Sequence, residues 1–155
     1  METNELDLEI IEVTELRIGN ALRYKGCPVH VTMLSLDIDD EYTPIIGFCK
    51  IGETTHEKSD WNRALVKHLR KIKLNDGIVE KAGFKLDHSK SDFFYGTYEK
   101  AGIEIYIEIN KEPLVSLYGQ PLPIKYLHEL QNLHYYVTGE EIQFELQANA
   151  PHPLA

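Results

Sequence analysis

Hydrophobic positions recur along this chain with two different periods. Ile103, Ile105, Ile107 and Ile109 alternate with Glu104, Tyr106 and Glu108, the pattern of a strand with one buried and one wet face. Phe93–Tyr98 precedes that run across Glu99-Lys100-Ala101-Gly102, which predicts a β-hairpin. In Pro123–Glu141 the period becomes helical. Leu127, Leu130, His134 and Val137 form a stripe that Ile124 and Leu133 widen, with Glu129 and Gln131 assigned to the solvated side. Pro123 suits a first helical turn, and Gly139 suits a left-handed C-terminal residue. A helix of about four turns is marginal alone in water, so this one needs a sheet to lie on.

The first half reads as short strands. Leu6, Leu8 and Ile10 alternate with Asp7 and Glu9, so residues 1–14 are expected to be an acidic arm or edge strand. Leu16–Gly26 reads as a turn at Gly19-Asn20, a strand, and a second turn at Lys25-Gly26. Pro28–Leu34 is the returning strand and Pro44–Ile51 a third. Strand, glycine turn, strand is the opening of a small SH3-like barrel. Ser59–Leu74 predicts a helix, capped at Ser59 or Asp60, with Trp61, Leu65, Leu69 and Ile72 on one face. A short helix capped at Asn75 or Asp76 and closed by Gly83 follows, then a strand from Lys85 and a polar loop at His88–Ser91. Pro113–Tyr118 is a strand before the long helix and Glu140–Leu146 a last one after it. The expected fold class is α+β: a small SH3-like β-barrel-type module with a basic helix over 15–74, then an antiparallel meander with one long packed helix over 75–146. Residues 147–155, with Pro151 and Pro153, are expected to be a disordered tail.

Charge changes this picture more than composition does. At 155 residues and 43% hydrophobic content the chain is an ordinary globular protein. Its net charge of −9 argues against a general nucleic-acid coat but leaves room for a local basic patch. No apolar run approaches a membrane span, and the acidic start lacks a signal-peptide pattern, so the expectation is a cytoplasmic protein without membrane contact. Two cysteines do not make a disulfide framework. Cys27 and His30 have an acceptable spacing for a zinc site, but that of Cys49 and His56 is loose, and reduced, partly buried thiols are the default. His128-Glu129 begins like a zinc-protease motif, but Asn132 stands at the second histidine position and His134 falls on another face. Asp37–Glu41 fails as a calcium loop, since Tyr42 replaces the turn glycine and Phe48 the bidentate acid. No phosphate loop or nucleophile elbow is present. The chain is therefore expected to be non-catalytic, with no cofactor and no metal.

One stretch stands against the acidic background. Arg63, Lys67, His68, Arg70 and Lys71, with Lys73, have no acidic residue among them, and they are the candidate partner-binding residues. On the predicted helix they read either as a patch for phosphates or an acidic partner, or as a solvated face balancing the acidic arm.

Three segments carry a resemblance: Glu15–Asn20, Ile72–Leu74 through Gly83-Phe84, and Ile124–Leu133 through Thr138–Glu141. Together they resemble a family of small uncharacterised proteins from phages, prophages and mobile elements of gut bacteria. Residues 53–70 look longer than is usual there. The resemblance implies no activity and no catalytic residues. It implies a cytoplasmic protein of a bacterial host cell, accessory to a mobile element. The expected function is a non-catalytic protein-interaction module, one version being an inhibitor of a host defence complex. Nucleic-acid binding through residues 63–73 is the alternative, and a small enzyme of unknown reaction a further one. A protein partner is expected, with homo-oligomerisation through opposite charges as another mode of association.

Overall fold

The computed structural model describes residues 11–37, 43–50 and 62–142. The acidic loop, most of the arm at 1–14, His56, the predicted cap at Ser59 or Asp60, most of the last strand and the tail lie outside them. The chain divides into two compact units, Met1–Ile72 with Leu146–Ala155, and Lys73–Glu145. The architecture is α+β with antiparallel sheets, one of them a half-barrel. Among the described residues, no helix is long and apolar enough to cross a membrane.

In the first unit the strands are β1 (Ala21–Tyr24), β2 (Cys27–Asp37), β3 (Thr43–Lys50), β4 (Asn62–Leu65) and β5 (Leu69–Arg70). They pair antiparallel in the order β4-β3-β2-β1-β5. The β1–β2 turn is two residues long because Lys25 and Gly26 both hold positive φ, which matches the twist of the flanking strands. The entry to β1 is fixed by Asn20, whose side chain accepts from Arg17 N at 2.6 Å while its backbone pairs with Val31. Leu16, Leu22, Val29, Val31, Ile46, Phe48 and Leu69 make the core, with the Tyr24 ring 4.6 Å from that of Phe48.

Over residues 62–74, the described part of the helix predicted for Ser59–Leu74, no helix of that length is formed. Asn62–Leu65 pairs with β3, Val66–His68 is a single 3-10 turn, and Leu69–Arg70 pairs with β1. The apolar residues spaced by four were legible either way. Leu69, fully buried in the core from β5, shows that strand pairing around the barrel won over local helical spacing.

In the second unit the elements are α1 (Asp76–Lys81), β6 (Lys85–Leu86), β7 (Tyr95–Lys100), β8 (Ile103–Glu108), β9 (Leu114–Leu117), β10 (Gln120–Leu122) and α2 (Leu127–Thr138). The sheet runs β10-β9-β8-β7-β6. Register places Tyr98, Ile105 and Val115 on one face, and Thr97, Tyr106 and Leu114 on the other. α1 lies against the first face, where the Tyr98 hydroxyl reaches Asp76 and Lys100 Nζ reaches the Ala82 carbonyl. Asn75 caps α1 as expected, accepting from Ile78 N at 2.9 Å.

The long helix starts later than the sequence predicts. Leu74 N donates to Lys125 O and Tyr126 bridges Lys73, which keeps 125–126 extended. Glu129 Oε1 then accepts from both Lys125 N and Tyr126 N and closes the first turn, so this residue is a cap rather than merely a solvated side chain. Gln131 is not solvated either. Leu127, Leu130, Gln131 and His134 form the buried arc together with His128, while Leu133 is only half-buried. Gly139, with φ 73°, ends the helix as predicted.

Candidate interaction site

The approach to β7 is a frame of side-chain-to-backbone hydrogen bonds. Asp87 Oδ1 accepts from Ser89 N and Ser89 Oγ, and the latter bond draws its carboxyl below the usual range. Ser91 Oγ donates to Asp87 O at 2.6 Å and accepts from Thr97 N at 3.0 Å, while Thr97 Oγ1 donates to Lys90 O. These bonds fold residues 87–92 against the outer face of β7 and bury Thr97. Asp92 Oδ1 next accepts from Phe94 N at 2.7 Å and Tyr95 N at 3.2 Å, and Ile109 N donates to Phe94 O at 3.0 Å. Phe93 and Phe94 therefore stand on an ordered backbone, yet they are 97% and 69% exposed. Ile109, 60% exposed, lies beside them.

These residues rim a hollow of about 220 Å³ floored by Leu86, Tyr98 and Ile107. Gly96 keeps it open, because an added Cβ would stand 3.0 Å from the Tyr98 ring and 3.2 Å from Leu86. Tyr98 is held in place by its hydroxyl, which donates to Asp76 Oδ1 at 3.0 Å. Burial, reinforced by that bond, pushes its pKa well above the ordinary tyrosine range, so the hydroxyl stays a donor. Phe93, Phe94 and Ile109 thus make a contiguous exposed apolar rim around a concavity.

A second cleft, of about 420 Å³, opens beside Tyr106, Leu114, Pro121 and Pro123. It lies on the opposite face of the sheet from the first, where the Tyr106 ring stands 5.3 Å from that of Tyr95. Carboxylates around it are internally matched: Glu104 with Lys90 at 3.2 Å, and Glu112 with Lys125 at 3.0 Å.

The candidate basic residues are not one helical face. Lys67, His68 and Arg70 are exposed. Arg70 Nη1 donates to Lys67 O at 2.6 Å and to Leu69 O at 2.9 Å, which brings the first and third of them together. Lys71 is diverted: its Nζ lies 3.1 Å from Glu15 Oε2, and its side chain is only 11% exposed. Arg63 sits on β4 opposite Gly47, with three strands between it and β5 in the sheet order. Sequence reasoning missed Arg23, the cross-strand partner of Arg70, because the β1–β5 pairing has no local signature.

It also missed Phe93 and Phe94 as surface. A signal was present: three successive aromatics, Phe93-Phe94-Tyr95, cannot all point to one face of a strand. His30 and Cys49 are register partners on β2 and β3, with Cys49 buried and Cys27 exposed. His128 and His134 are both buried, and His134 Nδ1 bonds Glu140 O at 2.9 Å as a packed helix residue.

Comparison with known proteins finds no matching family model, no matching curated protein and no matching solved structure.

Proposed function

We propose that this chain is a non-catalytic protein-interaction module whose docking surface is the Phe93–Phe94–Ile109 rim of the second unit. The observation that carries the reading is the exposure of two adjacent phenylalanines on a backbone fixed by Asp92. Free apolar side chains of this size are stabilised by burial, and a preformed frame lowers the ordering cost of a partner that buries them. The hollow floored by Leu86 and Ile107 supplies a pocket for one apolar anchor of the partner.

The resemblance to mobile-element proteins supplies the setting: an accessory protein in a bacterial cytoplasm, with a host defence complex as the target it blocks. The half-barrel of the first unit is read as an SH3-like module that the same protein carries beside its docking surface. The test is affinity capture from a bacterial lysate with the tagged chain, with and without nuclease, in parallel with the Phe93→Ala/Phe94→Ala variant. A stoichiometric protein that resists nuclease and is lost with the variant supports the reading. A partner retained by the variant removes this surface from it, and a signal that vanishes with nuclease replaces a protein partner by nucleic acid.

A further inference from the structure

The first unit carries a separate surface with a different chemistry. β5 is the edge strand of its sheet, and Arg70 on β5 stands directly opposite Arg23 on β1. Both are exposed, and side chains opposite one another in an antiparallel pair share a face. Like charges in that position are destabilising, so the pair is a local cost that an anion bound between them would relieve. Tyr24 pairs with Leu69, one step further along, so the chain continuing to Lys25 and the chain arriving through Lys67 and His68 reach the same end of the ladder. Lys25, Lys67 and His68 are also exposed. Arg70 is partly pre-set there, since one guanidinium nitrogen is fixed on the carbonyls of Lys67 and Leu69 while its remaining N–H donors are free of that bond pair. In a protein of net charge −9 this strip is a local reversal of sign.

We propose that the Arg23–Arg70 strip is a docking site for a carboxylate-rich segment of a protein partner. The neighbouring Lys71 already takes a carboxylate, that of Glu15, at 3.1 Å on the same module. The aromatic described on the strip, Tyr24, is only half-exposed, with the Phe48 ring at 4.6 Å and the Lys25 ammonium over its ring at 5.3 Å, which disfavours base stacking there. The overall negative charge acts against a long polyphosphate chain more than against a short acidic segment. Beyond a Debye length of about 8 Å at physiological salt the distant acidic residues are screened.

The strip belongs to a different unit from the Phe93 surface, so each assignment fails on its own variant. The experiment is fluorescence anisotropy of the full chain with labelled polyglutamate and, separately, a labelled oligothymidylate, at low and physiological salt. Polyglutamate is expected to bind, and Arg23→Glu with Arg70→Glu to weaken it by about tenfold or more, since two exposed charge contacts become repulsions. Phe93→Ala/Phe94→Ala should leave that affinity unchanged. Should the double reversal unfold, Lys25→Glu with Lys67→Glu, both outside the strand pairing, makes the same test. No polyglutamate binding, or binding indifferent to both reversals, overturns the proposal. Oligothymidylate binding in its place, lost in the reversal variant, overturns the choice of partner.

Discussion

Replacing Phe93 and Phe94 by alanine separates the folding role of these side chains from their binding role. At 97% and 69% exposure they contribute little to the core. The hydrogen bonds that hold their segment run through backbone atoms and Asp92, which the substitutions leave in place. Surface changes of this kind shift stability by about 0.5 kcal/mol or less. For a unit of this size that corresponds to a melting shift of about 4 °C at most. A partner, by contrast, can bury most of the ~200 Å² that a phenylalanine presents. At ~25 cal/mol per Å² this sets an upper limit of about 5 kcal/mol for each ring. Docking and ordering consume much of that, and about 2 kcal/mol, or ~30-fold in Kd, is the expected loss per anchoring aromatic. Calorimetric titration of the captured partner against wild type, each single variant and the double variant measures it. Asp92→Ala provides an internal check. It removes no apolar contact but frees Phe94 N and Tyr95 N, and loosening the frame should weaken binding by about fivefold, or ~1 kcal/mol. A double variant that melts as wild type and binds as wild type would refute the reasoning. So would one that unfolds, because the rings would then be structural.

Three further outcomes follow from single contacts. Tyr98→Phe should destabilise the second unit by about 1 kcal/mol, because the hydroxyl bond to Asp76 is charge-assisted but made to an exposed residue. Wild type should also lose stability as pH rises past about 10. The unfolded chain releases the Tyr98 proton there while burial keeps it on in the fold, and urea unfolding at neutral and alkaline pH should show a flatter profile for the variant. Glu129→Ala should cost about 1 kcal/mol by leaving Lys125 N and Tyr126 N without their shared acceptor, read as a lower denaturant midpoint. Gly102→Ala should cost about 1–2 kcal/mol, because φ is +80° and the Tyr118 ring occupies the space where the new Cβ would stand. If thermal melting of that variant matches wild type, the Tyr118 ring does not pack over this turn in solution.

Several elements were determined by residues close together in the chain. The Lys25-Gly26 turn, the Asn75 cap, the alternating isoleucines of β8 and the Gly139 stop are all written in local pattern, because each is decided by backbone conformation or by a hydrogen bond spanning a few residues. The outcome at residues 62–70 was decided elsewhere. Leu65 and Leu69 fit a helix and a strand equally, and the free edges of β3 and β1, distant in sequence, made them strands. The helix start moved from Pro123 to Leu127 for a similar reason, since the bridge from Lys73 holds Tyr126 extended. The candidate surfaces divide in the same way. The basic residues are visible in the sequence, but their sorting is tertiary: Lys71 goes to Glu15, and Arg70 meets Arg23 only through strand pairing. Phe93 and Phe94 are visible as letters. Their exposure depends on the hydrogen-bonded frame of residues 87–92 folding over Thr97, an arrangement that period and composition do not encode.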